Sequence, residues 1–267
     1  MTELFAFTGE FAACCHFFTP LKFNNLDQYS GFSYLCQVSS SASGDVIMTV
    51  MAIDFLQLSV VLGVILVSMT LHEAMHGFVS YWLGDDTAKL QGRLTLNPLK
   101  HIDPFLTILL PIMLAIIGAP IFGGAKPVPF NPDRVKGDEW GVAAVAIAGP
   151  LTNLFIAFIL FGIGTVLGYN VAHFSYTSLT EMIFAYGVFV NLGFFVFNMI
   201  PFPPLDGSRV LYALAPEFVR RGMEYIEQYG LVFVFAIVLL GSSYIGTFMI
   251  AAIEAIVGVF SKIFLVG

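Results

Sequence analysis

Residues 55–76 read FLQLSVVLGVILVSMTLHEAMH. The uncharged run 55–71 is nearly long enough, with its flanks, for the roughly 20 residues that a spanning helix needs, and it leads straight into His72-Glu73-Ala74-Met75-His76. On a helix, positions i and i+4 share a face. His72 and His76 can therefore offer two imidazole nitrogens to one metal ion, with Glu73 beside them as a base. A zinc hydrolase is the chemistry this spacing suggests. The alternative is a histidine pair hydrogen-bonded inside a helix bundle, which is the weaker reading because ionisable groups at membrane depth are costly unless they have work to do.

Composition points the same way. The chain has 267 residues, of which 58% are apolar and 11% charged, with 28 Phe and a mean hydropathy of +0.87, so it is an integral membrane protein. The expected fold class is an all-α polytopic membrane protein with four to six transmembrane helices. Uncharged stretches lie at 55–71, 104–125, 140–180, 182–205 and 229–253, the third holding a helix of about 142–168 followed by a loop. The net charge of −7 is thinly spread and forms no basic tract, which excludes nucleic acid as a natural partner.

Lys89, Arg93 and Lys100 follow the first helix, Lys126, Arg134 and Lys136 precede the third stretch, and Arg209, Arg220 and Arg221 follow the fourth; none occurs between 137 and 208. The positive-inside rule places these three segments in the cytoplasm. The stretch 104–125 must then enter and leave on one side. Pro111, Gly118, Pro120, Gly123 and Gly124 suit a re-entrant or short hairpin segment, with an ordinary spanning helix as the alternative. The region from Tyr229 to Val266 is too long for one crossing, and Gly241-Ser242-Ser243 offers a turn between two short helices, or between a helix and an interfacial segment carrying Glu254 and Lys262.

A zinc site needs a third protein ligand. Pro201-Phe202-Pro203-Pro204-Leu205-Asp206-Gly207 supplies Asp206: the prolines stop the fourth helix, and Gly207 is expected to let the backbone turn sharply. In this topology Asp206 lies at the depth of His72 and His76. A plain turn aspartate is the competing reading. Three protein ligands leave a fourth position for water, whose pKa falls to about 7 on zinc, while Glu73 moves the proton. Asn198 can donate to the oxyanion from its side-chain amide, or else form a helix–helix hydrogen bond. Breaks at Gly149-Pro150 and Pro201 suit a polar cavity. The runs 93–96 and 128–130 are expected to be small strand-like elements near the active site, with an edge that pairs with an unwound substrate.

His101 is expected to anchor a turn, and His16 and His173 to lie on the surface. Residues 1–47 hold Cys14, Cys15 and Cys36 in no metal-ligand spacing, a Ser-rich patch at 39–43 and no basic signal-peptide start. They are expected to be a poorly structured extension, absent from the native protein if translation starts at Met48 or Met51, with 48–267 as a single membrane-embedded domain.

HEAMHG, GRLTLNPLKHIDPF, AKPVPFNP, AGPLTN and FNMIPFPPLDG, in that order over roughly 52–215, resemble the site-2 protease family of intramembrane zinc metalloproteases, in the short bacterial form without a PDZ or CBS domain. The resemblance implies His72, His76 and Asp206 as zinc ligands, Glu73 as the base that activates water, Asn198 in substrate or transition-state contacts, and Asn153 lining the same cavity. It also implies one Zn2+ per chain, membrane-protein substrates, a lipid bilayer as surroundings, regulated intramembrane proteolysis and a bacterial inner-membrane location with the site toward the cytoplasm. Two alternatives stand beside it. One is a membrane zinc protease that closes its metal with a later Glu, Glu181 or Glu254, neither at the histidines' depth. The other is a metal-transport or ion pathway using the same His/Asp cluster, which lacks the repeated halves a carrier would show.

Overall fold

The computed structural model describes residues 55–109, 113, 125–169, 171, 178–230, 232 and 242–265. Residues 1–47, most of 104–125 and His173 lie outside them, and with them the expected extension and the turn of the hairpin segment. Among the described residues the structure is helical: α1 (Phe55–Trp82), α2 (Thr87–Leu90), α3 (Asp138–Val166), α4 (Leu179–Asn198), α5 (Gly207–Leu214), α6 (Glu217–Gln228) and α7 (Ser242–Ile263). Four of them, over Ser59–Trp82, Asp138–Val166, Leu179–Asn198 and Tyr244–Ile263, are long and apolar enough to cross a membrane.

Local signals set the ends. Past Trp82 the chain turns through Gly84 at φ +106, a conformation that disfavours any residue with a Cβ, while Asp85 N–H donates back to Ser80 O. Asp138 and Glu139 open α3 where the helix dipole favours negative charge. Ser178 caps α4 by accepting from Glu181 N–H at 3.2 Å. The prolines from Pro201 end α4 as expected, whereas Pro150 lies inside a continuous α3 and only deprives the carbonyl of Ala146 of its helical donor. The last spanning helix begins at Ser242, so Glu254 lies within it rather than in an interfacial tail.

Helix α3 is the hub, packed against α1, α4 and α5, while α7 lies on α4. Ala157, Phe161, Val171, Val188, Leu192 and Phe260 form the buried core between α3, α4 and α7. Small residues allow this closeness: a Cβ on Gly187 would stand 2.6 Å from Leu160, and one on Gly162 would stand 2.5 Å from Phe264.

The three basic segments gather at one end of the bundle. Arg134 pairs with Asp86 at 2.8 Å, Arg220 with Glu139 at 2.6 Å, and Arg93 donates to Lys126 O at 2.8 Å. No strand occurs among the described residues, so 93–96 and 128–130 differ from expectation. Their β-like composition is overridden by local bonds: Thr95 N–H turns back to Arg93 O, and Val128 N–H donates to Glu73 Oε2 at 2.9 Å.

Candidate metal centre

His72 and His76 sit roughly two to three turns before the end of α1, buried at 7% and 8% exposure, with their Nε2 atoms 3.0 Å apart. Asp206, in the turn between α4 and α5, brings Oδ2 to 3.2 Å from His72 Nε2 and 3.5 Å from His76 Nε2. The competing reading of Asp206 as a turn residue requires a cap. Its carboxylate makes no cap bond and faces the imidazoles instead. Gly207 serves by close approach rather than by a sharp turn: it is helical, and a Cβ there would lie 2.4 Å from Met199 O.

The far sides of the rings settle which nitrogens carry protons. His76 Nδ1 is 2.8 Å from Val145 O, an acceptor only, so Nδ1 must hold the proton. His72 Nδ1 is 2.6 Å from Asn153 Oδ1. In the neutral rings both Nε2 atoms therefore turn lone pairs toward each other and toward a carboxylate. Without a cation that arrangement is repulsive. Four donors about 2.0–2.1 Å from a tetrahedral zinc stand roughly 3.3 Å apart, and the three separations here bracket that value. The donor set thus fits zinc in both chemistry and spacing. If the rings instead take up a second proton on Nε2, burial alone would still push the Asp206 carboxyl up, but hydrogen bonding and charge from the two imidazolium groups outweigh it and hold it well below the ordinary aspartate range, a service that a bound cation would render in their place.

Peptidase family M50 matches residues 172–241. The chain is 40% identical over 204 residues to YwhC of Bacillus subtilis (strain 168), an alignment covering 75% of this chain and 90% of that one. The chain belongs to peptidase family M50, the zinc metalloproteases of the site-2 protease type. Rip2 of Mycolicibacterium smegmatis is 33% identical over 176 residues, or 66% of this chain and 64% of that protein. A Methanocaldococcus jannaschii protein, MJ0611, is 33% identical over 104 residues, or 39% and 50% respectively. All three relatives are assigned by name as zinc metalloproteases. No solved structure matches the chain.

The remaining residues of this M50 protease take definite places. Glu73 follows His72 directly, and its Oε2 is held by the N–H of Val128. Pro127 and Pro129 flank Val128, so it carries the only amide N–H in that tripeptide. Asn198 donates to Phe194 O of its own helix at 3.0 Å. Buried His101 bridges to Thr95 O at 2.8 Å while its carbonyl accepts from Lys126 N–H, and so anchors the loop as expected.

Sequence reasoning missed three contributors. Asp85, wholly buried, accepts from Thr87 N–H and from Asn131 N–H, tying the loop before α3 to the end of α1. Its signal was the Asp-x-Thr turn pattern. Gly149 was read as part of a break but is a contact surface for the imidazoles. Asn191, buried at 1% exposure in an apolar helix, donates to Ser68 Oγ, and its only signal was a polar residue at membrane depth.

Proposed function

We propose that His72, His76 and Asp206 hold one zinc ion and that Glu73 moves the proton in hydrolysis of peptide bonds within or beside membrane-spanning segments of other proteins. The observation that carries this reading is the meeting of three ligand atoms within 4.8 Å of one another, two from α1 and one from a turn far along the chain. Zinc, when bound, supplies a Lewis acid that polarises the carbonyl and makes water nucleophilic near neutral pH. With Oε2 engaged by Val128, Glu73 takes the water's proton on Oε1 as the new C–O bond forms. It returns that proton to the amine nitrogen as the C–N bond breaks, leaving a carboxyl end and an amine. The second N–H of the Asn198 amide is the donor we assign to the oxyanion.

A helical amide is already hydrogen-bonded, so the substrate segment must unwind before it is cut. The basic segments collected at one end of the bundle favour a cytoplasmic placement of that end, hence a site in the cytoplasmic half of a bacterial inner membrane. The biological role we infer is regulated intramembrane proteolysis, with a fragment released toward the cytosol.

The test is metal analysis and cleavage of a single-span protein in detergent or liposomes. Wild type should carry one zinc per chain, Asp206→Ala should lose it, and Glu73→Gln should keep it without cutting. Zinc at wild-type stoichiometry in Asp206→Ala would overturn the ligand set. Cleavage by Glu73→Gln would overturn the base, and zinc flux across liposomes without cleavage would support the transport reading instead.

A further inference from the structure

Behind His72 runs a buried chain of two side-chain amides that ties three helices together. His72 Nδ1 meets Asn153 Oδ1 of α3 at 2.6 Å, Asn153 Nδ2 donates to Asn191 Oδ1 of α4 at 2.8 Å, and Asn191 Nδ2 donates to Gly187 O at 2.7 Å and to Ser68 Oγ at 2.9 Å. Asn153 and Asn191 are 0% and 1% exposed. An amide can in principle face either way, but a backbone carbonyl can only accept. The group of Asn191 nearest Gly187 O must therefore be the NH2. Its oxygen then faces Asn153, which must answer with its own NH2, and the oxygen of Asn153 is left to face His72. Gly187 O thus dictates that His72 carries a proton on Nδ1, which in the neutral ring leaves the lone pair on Nε2.

We propose that Asn153 and Asn191 form a polarity relay, anchored on Gly187 O and Ser68, that positions His72 as a metal ligand and sets its tautomer. This rests on the reading of His72 as a zinc ligand. The two histidines are secured differently: His76 is set by the backbone carbonyl of Val145, whereas His72 depends on side chains that can be changed. Asn191 touches neither ligand directly and acts only through Asn153, so it is a positioning residue. Loss of such outer support typically weakens metal binding 10- to 100-fold.

Asn191→Leu removes the polarity signal. Asn191→Asp, protonated at this buried site, restores it by donating O–H to Gly187 O while accepting from Asn153. The experiment measures zinc affinity by competition with a chelator in Glu73→Gln protein, alongside thermal unfolding and 15N NMR of histidine-labelled, zinc-stripped protein. Asn191→Leu is expected to bind zinc about ten-fold more weakly and to lose the pure Nδ1–H signature of His72, with His76 unchanged. Asn191→Asp should stay within about two-fold of wild type by both readouts. Asn191→Ala replaces Leu if the larger side chain prevents folding. His72→Ala, run in parallel, must abolish zinc binding, and if it does not, the ligand assignment itself fails. If His72→Ala loses zinc but Asn191→Leu keeps wild-type affinity and the wild-type tautomer, the relay is overturned and the amides are only helix–helix bonds. Equal weakening in Asn191→Asp and Asn191→Leu overturns it as well.

Discussion

Gly149 and His76 stand so close that a single methyl group cannot fit between them: a Cβ at 149 would lie 2.4 Å from His76 Nε2 and 2.7 Å from His72 Cε1. Helix α3 therefore presses a bare stretch of backbone against the Cε1 edges of both imidazoles. Gly149→Ala must push one or both rings aside. Displacements of about 1 Å in a catalytic constellation cost on the order of 10²-fold in rate. Gly149→Ala is expected to lose most of its zinc and to fall in activity by about that factor. Gly63→Ala, where a Cβ would meet nothing within 4 Å, should leave both unchanged. Metal content and cleavage rate of the two purified variants check this, and a fully metallated, active Gly149→Ala would refute the packing argument.

Acid should loosen the loop that serves Glu73. Burial alone would push the Asp85 carboxyl up, but the Thr87 hydroxyl, the N–H groups of Asn131 and Thr87, and the Arg134 guanidinium outweigh it and hold it below the ordinary aspartate range. Because the folded value is the lower one, the stabilisation is complete above about 4, the ordinary range. It fades as pH falls from there through the folded value, since the unfolded chain takes up the proton first. Asp85→Asn loses an acceptor facing a half-buried N–H and should cost about 1–3 kcal/mol at pH 7. Thermal unfolding of both proteins from pH 7 to pH 3 should show a constant gap down to about pH 4 and a narrowing one below.

How far this site was readable follows from the range of each signal. The meeting of His72 with His76 is legible because positions i and i+4 share one face of a helix, and the arrival of Asp206 because a proline-rich turn marks where a carboxylate can be held. Asn191 offers no spacing partner in α4, and its role depends on which atoms of α1 and α3 reach it. Val128 is invisible for another reason: its contribution is a backbone N–H, which every non-proline residue has, and only packing decides that this one faces Glu73. The run 128–130 has the composition of a strand, yet Pro129 within it and Pro127 just before it leave too few donors for a ladder. The apolar stretch 229–253 runs past Gly241, so hydropathy alone could not place the start of α7 at Ser242.

The N–H of Val128 is expected to matter more than its side chain. Val128→Pro deletes the donor that holds Glu73 Oε2 and should lower kcat by about ten- to a hundred-fold while zinc content stays at wild type, because no ligand is touched. Val128→Ala keeps the N–H and loses only the packing of the isopropyl group near Gly77, so its kcat should stay within about three-fold of wild type. Equal activity in the proline and alanine variants would show that Glu73 needs no such support.

Asn198 tests the oxyanion assignment. One N–H of its amide is committed to Phe194 O, so the carboxamide is already oriented before substrate arrives, which is the condition under which a single donor stabilises developing charge most strongly. Removing one donor of this kind costs on the order of 10²–10³ in kcat. Asn198→Ala should show that loss with zinc content and KM near wild type, since the interaction strengthens only as the carbonyl oxygen gains charge. Asn198→Asp should be no better, because a carboxylate repels the oxyanion it replaces a donor for. If the amide served only its own helix, Asn198→Ala would shift unfolding temperature and leave kcat alone, and that pattern would remove Asn198 from the catalytic machinery.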